Sequence, residues 1–128
     1  RTVQTANQVA EALDLPIQVE SGLSEWLNPN WMPSMPEKLS LEALHERYPR
    51  INLEYTSRVI AEYPEPGEKC LERAGETARR LAAEFSADIL LVGHGASVVG
   101  ATGGLVGGSP EVNAALCCLV KIVRHDRE

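Results

Sequence analysis

Three short stretches of the 128-residue chain carry residue types that can do chemistry. Val92-Gly93-His94-Gly95-Ala96-Ser97 sets a histidine between glycines, after an apolar run and before a segment of small residues. A histidine at such a junction can donate hydrogen bonds to an anion or move protons near neutral pH. If a helix starts here, the backbone amides of Gly95 and Ala96 add free donors and a partial positive charge at the same point. The alternative is a histidine that only closes a turn. Arg1, ahead of Thr2-Val3-Gln4-Thr5-Ala6, places a planar guanidinium at a second helix start, where it can grip a phosphate or carboxylate in two places or simply be solvated. Glu25 follows a short apolar alternation and precedes Trp26. An apolar neighbour disfavours the ionised carboxylate and keeps a proton available for donation, whereas a glutamate on an open loop would have no such role.

The elements that must position these groups follow from periodicity. Val3, Ala6, Val9, Ala10 and Leu13 keep helical spacing, and Pro16 closes that segment. Ile17 and Val19 alternate with Gln18 and Glu20, a short strand running into the turn at Ser21-Gly22. Cys70, Leu71, Ala74, Ala78, Leu81, Ala82 and Phe85 form an apolar stripe, with Glu68, Lys69, Glu72, Arg73, Glu76, Arg79 and Arg80 on the other face, which predicts a helix over 67–85. Asp88-Ile89-Leu90-Leu91-Val92 reads as a strand buried on both faces, as in a parallel sheet. Residues 96–106 form a glycine-rich helix broken by Gly107-Gly108-Ser109-Pro110, and 114–123 form a last strand. Between these elements, 27–66 holds six prolines, both tryptophans lie nearby, and one short helix is expected from Ser40 to Arg47. We read it as a surface excursion packed as a lid or specificity loop. The order of elements indicates an α/β layer architecture.

Composition narrows the classes of function. With 12 Lys+Arg against 18 Asp+Glu, the net charge is −6, which argues against coating a nucleic-acid duplex but not against one small cationic pocket. The longest apolar segment, 114–123, carries Lys121 and falls well short of the ~18 residues a spanning helix needs, so no membrane partner is expected. Three cysteines, Cys70, Cys117 and Cys118, are odd in number, and the adjacent pair would point to opposite faces of a strand. A reducing, cytoplasmic location follows. His45, His94 and His125 lie far apart and at no zinc-like spacing from the cysteines, so neither a metal nor a cofactor is expected. A nucleotide turn at Gly93-His94-Gly95 lacks the further glycine at Val98, and no Gly-Lys-Ser/Thr is present.

Taken together, Arg1-Thr2-Val3-Gln4-Thr5-Ala6, Val19-Glu20-Ser21-Gly22-Leu23-Ser24-Glu25-Trp26 and Leu90-Leu91-Val92-Gly93-His94-Gly95-Ala96-Ser97 resemble, in order and spacing, the histidine phosphatase superfamily. The Glu-Trp ending of the second motif, followed by a Trp/Pro-rich excursion, looks most like the branch of the TULA T-cell phosphatases and their microbial and fungal relatives. The resemblance implies a three-layer, phosphoglycerate-mutase-like α/β fold with a mostly parallel sheet. It also implies phosphomonoester hydrolysis through a phosphohistidine, with covalent catalysis dividing one displacement into two. Carried over by motif, Arg1 would bind the phosphoryl oxygens together with His94, Gly95 and Ala96. His94 would also stabilise the transition state, and Glu25 would protonate the leaving oxygen.

The family's signature Arg-His-Gly, which supplies the nucleophile, lies upstream of the position that Arg1 matches, and the 128 residues contain no such tripeptide. The chain also opens without methionine. The expectation is therefore the C-terminal part of a single histidine-phosphatase domain that lacks its N-terminal strand or strands, with 27–66 as excursion or insertion. The expected partner is a phosphorylated small molecule or phosphoprotein, with a homodimer as an open possibility. A catalytically inactive binding module of the same fold is the alternative function.

Overall fold

The computed structural model describes residues 1–108 and 110–125. Among the described residues four α-helices form: α1 (Thr2–Leu13), α2 (Leu41–Arg47), α3 (Gly67–Glu84) and α4 (Gly95–Val106). Helix α1 ends when Asp14 turns left-handed, with φ 55°, and donates its N–H to the Ala10 carbonyl. Helix α2 is capped by the Ser40 hydroxyl, which accepts from Ala43 N–H at 3.1 Å. Helix α3 starts after Pro66, which already holds an extended backbone. Ser109, within the predicted break after α4, lies outside the described residues.

The predicted parallel sheet does not form among the described residues. Its nearest approach is one parallel bridge between Ile17 and Ile51, closed by Ile17 N–H to Arg50 carbonyl and Asn52 N–H to Ile17 carbonyl, both at 2.9 Å. Ala10, Ile17 and Ile51 are buried together there, with Val3, Val19, Leu44 and Tyr48 packed around them. The run 88–92 carries no ladder, because an extended segment becomes a strand only when a partner lies about 4.8 Å away. A cleft of about 410 Å³ separates it from 17–20 instead. A second cavity, about 180 Å³, lies between Ile89-Leu90-Leu91, α4 and 118–122.

The predicted strand 114–123 is likewise replaced. A turn at Leu116-Cys117 divides it, with Cys117 at φ 63° and the Cys118 N–H closing on the Ala115 carbonyl at 3.1 Å. Without a ladder partner the backbone closes locally, and Leu116 and Leu119 stay exposed. The two neighbouring cysteines are therefore turn residues and not residues on opposite faces of a strand. Cys117 and Cys118 are exposed, Cys70 is buried, and all three are free thiols.

Segment 27–66 is built into the interior at several points, since Leu27, Ile51, Tyr55, Ala61 and Glu65 are all buried. No helix among the described residues is long and apolar enough to cross a membrane.

Helices α3 and α4 make the principal packing contact of the chain. Each glycine in α4 costs about 1 kcal/mol in helix propensity against alanine, so this helix depends on what it packs against. Its partner is the backbone of α3. A Cβ on Gly104 would lie 2.4 Å from the Cα of Gly75, a distance no side chain can occupy. The missing side chains let the two backbones touch and recover dispersion contact along the crossing.

Candidate active site

Helix α4 begins at Gly95, so His94 is its first flanking residue. Ser97 sets the turn: its hydroxyl accepts from the His94 N–H at 2.8 Å and donates to the His94 carbonyl at 3.0 Å. The same hydroxyl requires a glycine at 93, where a Cβ would stand only 2.4 Å away. The backbone of His94 is thus fixed at the N-terminal end of α4. The amides of Gly95 and Ala96 have no intrahelical acceptor, as in the first turn of any helix.

The structure brings His94 and Glu25 together across 69 residues of sequence. Glu25 Oε2 lies 3.3 Å from His94 Nδ1, and both side chains are partly buried, 34% and 21% exposed. The other carboxylate oxygen, Oε1, accepts the Trp26 N–H at 3.0 Å. Burial lowers the pKa of His94 below its usual value, Glu25 pulls it back up, and the cationic Arg1 lowers it again. Among the described residues the Arg1 side chain makes no hydrogen bond or ion pair with His94 or Glu25. Arg1 occupies the position before α1, its carbonyl accepting the Thr5 N–H at 3.2 Å, and its side chain is exposed.

Helical periodicity misplaced one residue that matters here. Arg73, read as part of the solvated face of α3, is buried, and its guanidinium chelates the equally buried Glu65. Arg73 Nε meets Glu65 Oε2 at 2.7 Å, and Nη2 meets Oε1 at 2.7 Å. Burial opposes ionisation of Glu65, but Arg73 and the Leu27 N–H outweigh it and hold the carboxyl below its usual range. The signal was present in the spacing: Arg73 is three residues after Cys70 and four before Thr77, both fully buried on the inner stripe.

The aromatic start of the excursion is anchored beside the acid. Trp26 Nε1 donates to the Glu65 carbonyl at 2.6 Å, its ring lies over Gly67, and Trp31 packs edge-on at 5.0 Å. The other two histidines are elsewhere. His45 Nδ1 hydrogen-bonds the Ile51 carbonyl at 2.8 Å, and His125 is exposed at the end of the described chain. Among the described residues no three potential ligands converge as a metal site.

An imidazole and free backbone amides at a helix N-terminus, with a carboxyl group within reach of the ring, make a site suited to a tetrahedral oxyanion. The sequence profile of the histidine phosphatase superfamily (branch 1) matches residues 1–128, and the chain belongs to that superfamily. Membership implies a phosphoglycerate-mutase-like α/β fold and phosphoryl transfer by way of a phosphohistidine. No curated relative matches the chain.

Proposed function

We propose that the protein hydrolyses phosphomonoesters, with Glu25 as general acid and with His94, Arg1 and the amides of Gly95 and Ala96 binding the phosphoryl group. The observation that carries this reading is the 3.3 Å approach of Glu25 to His94 at the start of α4. In the first step a histidine nitrogen bonds to phosphorus, the P–O bond to the alcohol breaks, and the Glu25 proton passes to the departing oxygen. In the second, water attacks phosphorus, the P–N bond breaks, and the Glu25 carboxylate takes the water proton. His94 donates to the equatorial oxygens, where its hydrogen bond strengthens as negative charge shifts.

The nucleophile in this proposal sits on an Arg-His-Gly segment outside the 128 residues. The open cleft between 17–20 and 88–92 supports that placement, since 88–92 has no ladder partner there. The Glu25-Trp26 junction with its Trp31 contact supports the TULA-like branch, and the three free thiols support a reducing, cytoplasmic setting. The substrate would be a phosphorylated small molecule or phosphoprotein. In an inactive relative the same pocket would bind a phosphorylated ligand without turnover.

Leaving-group dependence tests the proposal. In a form carrying the Arg-His-Gly segment, Glu25→Gln should slow an alkyl phosphate by ~10²–10⁴-fold and a nitrophenyl phosphate far less, because only the alkoxide needs the proton. Equal losses on both would remove Glu25 from the role, and no turnover by the unaltered form would favour the binding module.

A further inference from the structure

We infer that the buried Arg73–Glu65 pair is a positioning device for the Glu25 carboxylate, fixing the chain from Gly22 to Leu27 so that the acid faces His94. The inference rests on the role given to Glu25 above.

The segment between the turn at Ser21–Leu23 and Asn28 has no helix or ladder to hold it, so its buried backbone groups must find partners elsewhere. They find them on these two side chains. Arg73 Nη1 donates to the carbonyls of Gly22 and Ser24, both at 2.9 Å, and Nη2 donates to the carbonyl of Glu25 itself at 3.2 Å. With the two bonds to Glu65, all five guanidinium N–H groups meet an oxygen. Glu65 completes the frame: its Oε1 accepts the Leu27 N–H at 3.1 Å, and its own N–H donates to the Leu27 carbonyl at 3.0 Å.

Stability alone does not account for the pair, since buried ion pairs are often matched or exceeded by well-packed apolar residues of similar volume. What an apolar replacement could not do is hold three carbonyls in one rigid fork. Both the Cα of Glu25 and the direction of its side chain are thereby set against α3. The remaining freedom of the carboxylate is taken up by the Trp26 N–H and by His94.

The test reads the Glu25–His94 contact directly, by NMR titration of the His94 ring in the 128-residue chain. Apart from Glu25, the side-chain charge felt at that ring is that of Arg1. Glu25→Gln withdraws the attraction that favours the imidazolium and should move the titration to lower pH. Arg73→Lys keeps a cation beside Glu65 but loses the fork. It should by itself reproduce that displacement, and adding Glu25→Gln to it should produce no further change. Glu65→Gln, which keeps the shape of the pair, serves as a second variant and should behave the same way if Arg73→Lys fails to fold.

If Glu25→Gln displaces His94 equally in the unaltered, Arg73→Lys and Glu65→Gln backgrounds, while those variants lower only the melting temperature, the pair is merely structural and the inference is overturned. A Glu25→Gln chain that titrates like the unaltered one would overturn it too, since no contact would exist to be positioned. Failure of Glu25 as general acid shows separately, in the leaving-group comparison, where the titration plays no part.

Discussion

Gly103 and Gly104 are neighbours in α4 whose replacement by alanine should have opposite effects on stability. Both substitutions gain the same helix propensity, about 1 kcal/mol. At Gly103 the nearest atom to a new Cβ is the Gly108 carbonyl oxygen at 3.8 Å, an ordinary contact, so Gly103→Ala should stabilise the chain by roughly 0.5–1 kcal/mol. At Gly104 the new Cβ would stand 2.4, 2.5 and 2.7 Å from the Cα, O and C of Gly75. Carbon atoms pack at about 3.5 Å or more, so the helices would have to part by about 1 Å along a crossing made of rigid backbone. Overpacking of this kind costs about 1–3 kcal/mol, the upper end applying where no side chain can swing away. After the propensity gain Gly104→Ala should lose about 1–2 kcal/mol, and the two variants should differ by about 2 kcal/mol. Urea denaturation followed by far-UV circular dichroism measures this as a separation of midpoints at a common slope. If Gly104→Ala is as stable as Gly103→Ala or more so, the α3–α4 crossing described here is wrong, and with it the placement of His94.

Two further outcomes concern the site. His94 titrates below its ordinary value of 6.5 because burial disfavours the imidazolium. The unfolded chain therefore takes up the proton first as pH falls: stability is full above about 6.5, declines as pH drops through the folded value and levels off below it. Urea midpoints between pH 8 and pH 5, compared with His94→Gln, should show a loss on acidification that the variant lacks, and identical profiles would contradict the burial of the ring. Vanadate or inorganic phosphate should bind at the start of α4, and His94→Ala or Arg1→Ala should weaken binding by about 1.5–3 kcal/mol through the lost charge-assisted hydrogen bond. Unchanged affinity in either variant, by calorimetry, would take that residue out of the oxyanion pocket.

What the sequence disclosed depended on whether a single segment carries its own information. The stripe from Cys70 to Leu81 and the spacing of Val3, Ala6, Ala10 and Leu13 each define a helix face, and α1 and α3 occupy nearly the predicted ranges. The short helix expected from Ser40 to Arg47 forms as α2, with Ser40 as its cap. Strand formation is different in kind, since 88–92 is apolar enough for a buried strand but a ladder is a property of two segments. The turn at Leu116-Cys117 had no glycine or asparagine to announce its positive φ. Arg73 was concealed by its charge: on a helix with many exposed ions it reads as one more, and only its register with Cys70 and Thr77 places it inside. Of the candidate site, Glu25, His94 and Arg1 were legible as residue types at element ends, whereas the approach of Glu25 to His94 is a tertiary fact. The buried pair behind Glu25 was not legible, since it depends on Glu65, a residue in an irregular segment with no periodicity to read.

Arg73 and Gly75 lie two residues apart on α3, one tied to the loop that carries Glu25 and the other to the helix that carries His94. Acid and imidazole are therefore mounted on a common rail. A rigid displacement of α3 carries both along, leaving their separation unchanged to first order. The spacing of the Glu25 carboxylate and the His94 imidazole is thereby set by one helix rather than by the two separate segments that carry them.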